Sequence, residues 1–195
     1  KPGNRPAVPS ISVTLDSLYT RTRVRFDPEL AADTFTINGR GDDKSAHRVA
    51  RCLDVFRARA GLAERAAVET RNNFPTGAGL ASSASGFAAL VVAADRALGL
   101  GLPRAELSRI ARRSSGSAAR SLYGGFVEMP LAPEEETASP LLDAEAWPMS
   151  VVVAVTATDA KATGSTEGME RTARTSDYYQ AWLAAAGADA VGAGG

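Results

Sequence analysis

Pro75-Thr-Gly-Ala-Gly-Leu-Ala-Ser-Ser-Ala-Ser-Gly86 is a run of small residues, glycine-rich at its start and serine-rich at its end. It leads into Phe87, Leu90, Val91, Ala94 and Leu98, an apolar stripe at helical spacing. The first turns of a helix carry unpaired N–H groups and partial positive charge. Gly77 and Gly79 let the backbone approach a bulky anion closely, and Ser82, Ser83 and Ser85 add hydroxyls for phosphate oxygens or a bound Mg2+. One reading is a nucleotide phosphate cradle. A plain serine N-cap with tight small-residue packing fits the same residues. The segment lacks the Gly-Lys-Ser/Thr ending of a Walker loop. No Gly-x-Ser-x-Gly elbow is present, and the one histidine, His47, falls in a different predicted helix.

A second cluster, Ser114-Ser-Gly-Ser-Ala-Ala-Arg-Ser-Leu-Tyr-Gly-Gly125, sets several hydroxyls and one guanidinium on adjacent turns. Arginine is the natural bidentate partner of a carboxylate or phosphate. A solvated surface arginine is the plain alternative. It is weakened because Ala118, Ala119, Leu122 and Tyr123 surround Arg120 with a half-buried composition.

These loops need a scaffold. Ser10–Leu15 and Thr20–Phe26 alternate like strands about a polar break at Asp16-Ser17, which predicts a hairpin over 10–26. A short strand over 33–38 closes at Asn38-Gly39. Val49, Cys52, Leu53 and Phe56 predict a helix over about 43–60, ended by Gly61. Residues 65–72 alternate again and lead into Asn72-Asn73-Phe74-Pro75. Pro103 suits the first position of a helix whose apolar side is Leu107, Ile110 and Ala111. Phe126–Met129 reads as a strand, 132–146 as an acidic surface loop, Val151–Val155 as a fully apolar strand and 176–186 as a last helix. The tail from Val191 is expected to be disordered. Strands and helices mix without strict alternation, which makes the fold class α+β.

With 195 residues, 45% hydrophobic and 23% charged, the chain can bury a sizeable core. Lys+Arg and Asp+Glu both number 22, which gives no basic footprint for nucleic acid or an anionic membrane. No apolar run is long enough to predict a membrane span. The lone cysteine, Cys52, excludes an internal disulfide and suits a reducing, cytoplasmic setting.

Asn72-Asn-Phe-Pro-Thr-Gly-Ala-Gly-Leu-Ala-Ser-Ser-Ala-Ser-Gly-Phe-Ala-Ala-Leu90 resembles the ATP-binding motif of the mevalonate diphosphate decarboxylases. These are a branch of the superfamily of galactokinase, homoserine kinase, mevalonate kinase and phosphomevalonate kinase. Ser114–Glu128 resembles that branch in particular. Gly164-Ser-Thr-Glu-Gly-Met169 with Thr175-Ser176 is similar to a third motif of it, and Ser10–Leu15 to the strand after its Tyr-Trp-Gly-Lys segment. The landmarks occur in order over nearly the whole chain.

The resemblance implies a two-lobe fold, with a nucleotide-binding domain over 1–148 and the beginning of a second over 149–195. It implies that Pro75, Thr76, Gly77, Ala78, Gly79, Leu80, Ala81, Ser82, Ser83, Ala84 and Ser85 wrap the phosphates of ATP, with Ser83 at the γ-phosphate and Mg2+. Arg48, Ser115, Gly116, Ser117 and Arg120 match substrate-binding positions, Arg120 near the substrate carboxylate and reacting centre. Arg48 also fits a solvent-facing helix arginine. Ser165 and Thr166 match the position that contacts the substrate diphosphate. The implied catalytic residues are Arg120 and Ser83. The implied reaction is ATP-dependent decarboxylation of mevalonate 5-diphosphate to isopentenyl diphosphate, by a homodimer.

The departures matter. The Tyr-Trp-Gly-Lys stretch of the family falls upstream of Lys1, and its catalytic aspartate falls in the C-terminal lobe beyond Gly195. The expectation is a chain cut at both ends and silent by itself. Ala119 stands where a cysteine is usual, and Gly77 where an alanine is usual. Two alternatives remain. One is a small-molecule kinase or decarboxylase of the superfamily acting on a related mevalonate phosphate, which would share the 75–86 loop. The other is a non-enzymatic binding module, against which zero net charge argues.

Overall fold

The computed structural model describes residues 6–131, 137–155 and 163–193. Helix α1 (Asp43–Ala60) starts where the Asp42 side chain accepts from the Ser45 N–H at 3.2 Å, and ends where Gly61 turns left-handed. Between these caps Val49, Cys52, Leu53 and Phe56 form the buried stripe that their spacing predicts. Helix α2 (Ser82–Leu98) buries Phe87, Leu90, Val91 and Ala94, and α3 (Arg104–Ser114) buries Leu107, Ile110 and Ala111. Pro103 stands one residue ahead of α3, as its N-cap. A 3₁₀ turn over Gly116–Leu122 follows.

Strands β1 (Ser10–Val13), β2 (Thr20–Asp27), β3 (Thr34–Ile37), β4 (Arg40–Gly41), β5 (Arg65–Asn72), β6 (Phe126–Met129) and β7 (Ser139–Leu142) divide into two sheets, ordered β2-β5-β3-β4 and β1-β6-β7. In the first, β2 runs antiparallel to β5 and β3 parallel to it. The cross-strand partners Val24 and Val68 share one core with α1, α2 and α3, while Arg21, Arg23 and Arg25 are exposed, as strand alternation requires. The second sheet closes over a smaller core of Ala119, Val127, Met129 and Ala138. Gly125 makes that closure possible. Its φ is 68°, and a Cβ there would lie 2.2 Å from the Leu142 carbonyl oxygen.

Arg57 ties the end of α1 to the sheet. Its Nε donates to the Glu64 carbonyl at 2.7 Å and its Nη1 to Asp54 Oδ1 at 2.8 Å, while Nη2 pairs with Asp33. Asp33 in turn accepts from the Ala66 N–H at 2.8 Å, at the start of β5.

The α+β class is borne out, and four local expectations are corrected. Residues 10–26 hold two strands but no hairpin, because β1 pairs with β6 and β2 with β5. The link between them is pinned by Asn73, which accepts from the Tyr19 N–H at 2.8 Å and donates to the Ser17 carbonyl at 2.7 Å. Alternation marks a strand and does not choose its partner. The expected acidic loop over 132–146 contains β7, although its residues 132–136 lie outside the described residues. Val151–Val155 is exposed and forms no strand, with no described strand beside it to complete a ladder. The last helix is longer than expected: α5 runs Tyr179–Ala193, through part of the tail read as disordered, after α4 (Ser165–Thr175).

Candidate functional site

Helix α2 opens without a side-chain cap. Its N-cap residue is Ala81, held left-handed at φ 53°, and no acidic residue stands in its first turn. The serine N-cap alternative is therefore not what this sequence builds. Ser82 instead turns back and accepts from the Gly77 N–H at 3.2 Å, which curls the loop onto the helix start. Gly77 and Gly79 hold φ values of 78° and 90°, conformations that suit glycine. The helix end keeps its partial positive charge with no protein carboxylate in the first turn to offset it.

The two sequence clusters meet at this point. Ser83 is exposed, and its Oγ lies 3.5 Å from Oγ of buried Ser115. Arg48, from α1, donates through Nη2 to the Ser114 carbonyl at 2.5 Å and lays its guanidinium 4.8 Å over the Phe87 ring. It is half-buried, not solvent-facing, and burial, then the neighbouring Arg51 charge, pull its pKa below the ordinary arginine value. Arg120 donates through Nη1 to Ser10 Oγ at 2.5 Å, while its buried Nε has no hydrogen-bond partner. Burial lowers its pKa as well. No carboxylate among the described residues pairs with it.

Three hollows sort the candidates. A cleft of about 940 Å3 is lined by Leu80, Ala81, Ala84, Ser85, Ser117 and Arg120, with Ser12 of β1. A hollow of about 90 Å3 beside it is lined by Arg48, Thr76, Ser82 and Ser83. Pro75 and Ala78 belong to the loop that runs between β5 and α2, and Gly116 opens the 3₁₀ turn between Ser115 and Ser117. Ser165 and Thr166 open α4. Ser165 lines a separate cleft of about 900 Å3 with Met169, Tyr178 and Trp182, and none of its lining residues is shared with the other two. Sequence reasoning missed Thr20 and Asn38 and gave no role to Asn72, although it opens the motif segment; the three hydrogen-bond to the loop or to one another. Their one signal was two asparagines in succession at the end of a strand.

The loop fits a polyphosphate, since it offers an uncapped helix start, two left-handed glycines and an exposed serine hydroxyl. Among the described residues no group of three or more His, Cys, Asp or Glu side chains could cage a metal ion. This donor set fits Mg2+ carried on a nucleotide, an ion that keeps its waters and phosphate oxygens and needs few protein ligands.

The fold and loop define an α+β domain of the galactokinase, homoserine kinase, mevalonate kinase and phosphomevalonate kinase type. Within it, the description "Diphosphomevalonate decarboxylase-like N-terminal domain" matches residues 2–139, and the chain belongs to that family. It is 41% identical to the diphosphomevalonate decarboxylase of Eremothecium gossypii over 91% of this chain and 49% of that one. Its fold is similar to the mevalonate diphosphate decarboxylase from Enterococcus faecalis, with a TM-score of 0.74 and 40% identity over 90% of this chain and 54% of that one. It is similar also to MDDEF in complex with MVAPP, AMPPCP and magnesium, with a TM-score of 0.77 and 41% identity over 91% and 56%. The chain spans about half the length of the curated relatives it matches. No helix among the described residues is long and apolar enough to cross a membrane.

Proposed function

We propose that the protein carries out the ATP-dependent decarboxylation of mevalonate 5-diphosphate, giving isopentenyl diphosphate, ADP, phosphate and carbon dioxide, a step of isoprenoid biosynthesis. The observation that carries the reading is the meeting of an uncapped, glycine-bent helix start with the serine–arginine cluster through Ser83 and Ser115. The family membership and the complex of MDDEF with MVAPP, AMPPCP and magnesium support it. Bound at the loop, ATP supplies the phosphoryl group that turns the tertiary hydroxyl of the substrate into a leaving group. Phosphate then departs with the C–O bonding pair, and the C–C bond to the carboxylate breaks to form the alkene and release carbon dioxide.

The residues divide this work. The 75–85 loop binds the nucleotide phosphates through backbone N–H groups, and the Ser83 hydroxyl is directed to the γ-phosphate and its Mg2+. Arg48, Ser115, Gly116 and Ser117 hold the substrate. Arg120, with one N–H still unpartnered, steadies the carboxylate and the charge that develops as phosphate leaves. Ser165 and Thr166, at the start of α4, are assigned to the substrate diphosphate. Residues 1–148 are assigned to the nucleotide-binding domain and 149–195 to a second. In support, α1 to α3 and both sheets precede residue 148, while α4 buries none of its side chains. A cytoplasmic homodimer with no nucleic-acid partner completes the reading. A free, buried Cys52 supports a reducing compartment, and the homodimer follows from the family resemblance.

The test is to incubate a protein carrying this sequence with Mg2+, ATP and mevalonate 5-diphosphate, and to follow phosphate and carbon dioxide. Release of both in step with ADP supports the reading. ADP formation without carbon dioxide would make the protein a kinase.

A further inference from the structure

The loop that cradles the nucleotide in the reading above contains three left-handed residues in close succession, Gly77, Gly79 and Ala81. At Ala81 that conformation is strained for a residue with a Cβ, so the surroundings must hold it. Several hydrogen bonds hold the loop: Ser82 Oγ accepts from the Gly77 N–H at 3.2 Å within it, and Asn38 Nδ2 reaches Thr76 Oγ1 at 3.5 Å from outside. Asn72, the last residue of β5, accepts through Oδ1 from the Thr20 hydroxyl at 2.7 Å and donates through Nδ2 to the Thr76 hydroxyl at 2.9 Å. The Thr20 hydroxyl also lies 2.8 Å from the Ser85 hydroxyl.

A hydroxyl has one proton. With the Thr20 proton directed at Asn72, Ser85 is the donor to Thr20, at a shorter distance than its 3.4 Å alternative, the Ser82 carbonyl. One amide is thus joined to Thr76 at the entry of the loop and, through Thr20, to Ser85 in the first turn of α2. The backbone of Asn72 is fixed in its turn. Its N–H donates to Asn38 Oδ1 at 2.9 Å, and Asn38 holds φ 51° in the β3–β4 turn.

We propose that Asn72, acting through Thr20 and Ser85 on one side and Thr76 on the other, is a positioning residue that sets the span between the two ends of the nucleotide loop. It rests on the reading of that loop as the ATP site. Substrate is held by Arg48, Ser115 and Arg120, none of which touches Asn72 through a hydrogen bond. The effect of losing Asn72 should therefore fall on the nucleotide: KM for ATP rises while KM for the second substrate holds.

Three variants test it: Asn72→Ala, Thr20→Val and Thr20→Ser. Each is titrated with Mg·ATP by calorimetry and melted in parallel. One neutral hydrogen bond contributes about 1 kcal/mol net, so Asn72→Ala and Thr20→Val should weaken ATP binding about five- to tenfold. Thr20→Ser keeps the hydroxyl and should stay within about twofold of wild type under the same reasoning. If Asn72→Ala fails to fold, the Thr20 pair decides alone. Wild-type affinity in Thr20→Val, or equal losses in Thr20→Val and Thr20→Ser, overturns the proposal, because the first denies the coupling and the second makes it packing. If the wild type itself does not bind Mg·ATP, the proposed function falls and this inference with it. If the wild type binds Mg·ATP and Asn72→Ala and Thr20→Val bind it equally tightly, the positioning role alone is refuted.

Discussion

Arg120 offers the sharpest test of the proposed chemistry. Its guanidinium is half-buried with no carboxylate beside it among the described residues, and burial already lowers its pKa. A desolvated cation with a neutral hydroxyl as its hydrogen-bond partner is costly by itself and gains from an arriving anion. Nη1 is engaged by Ser10, while Nε is buried and unpartnered. A charge-assisted hydrogen bond contributes about 1.5–3 kcal/mol. If the bond made by Nε strengthens as phosphate leaves and the carboxylate is lost, removing the guanidinium should cost about 2.7 kcal/mol or more in the transition state, a loss of roughly 100-fold in kcat.

The perturbation is Arg120→Ala, with Arg120→Met as a companion that keeps the apolar stem. The assay is steady-state release of phosphate and carbon dioxide with each substrate varied in turn. Both variants should lose kcat while KM for ATP changes little, because Arg120 is assigned to the reacting end of the substrate and its described hydrogen bond goes to Ser10 of β1, not to the 75–85 loop. Removal of a half-buried cation with no carboxylate partner among the described residues should leave the melting temperature unchanged or raised. Turnover within twofold of wild type in Arg120→Met would refute the reasoning. So would a loss seen only as a higher KM for ATP.

Ser83→Ala should impair turnover and leave the melting temperature near wild type, because Ala81 and not Ser83 caps α2. A destabilised, fully active variant would overturn the assignment. Arg57→Ala should cost roughly 3 kcal/mol in urea unfolding, since it strips the nearly buried Asp33 of its cation, and Arg57→Lys should restore little of it, because lysine cannot reach Glu64, Asp54 and Asp33 together. Cys52 is buried, and burial raises its thiol to about 11 from 9.0, so a thiolate-selective reagent at pH 8 should label it only as fast as the protein unfolds. Because the folded pKa is the higher one, the contribution of this thiol to stability is complete below pH 9 and is lost as pH rises towards 11, a trend that Cys52→Ala should abolish.

What the sequence made legible follows from the range of the interactions that decide each feature. The α1 stripe and its Gly61 stop were readable because a helix is fixed by contacts a few residues apart, and those residues are adjacent in the text. The pairing of β1 with β6 was not readable, since Val13 meets Phe126 across more than a hundred residues and nothing in Ser10–Val13 names its partner. The site divides along the same line. The residues assigned to the nucleotide, Gly77, Gly79 and Ser83, betray themselves by type at the mouth of a helix. The residues that shape the loop do so from other elements: Thr20 lies on β2, Asn38 in the β3–β4 turn and Asn72 at the end of β5. As threonine and asparagine, they look in a sequence like any polar strand ends. They become part of the site only when β2 and β5 pair in the register Thr20 to Asn72, and that register is set by the burial of Val24 against Val68. The shape of the phosphate loop is therefore specified partly by apolar residues in the sheet that make no contact with it.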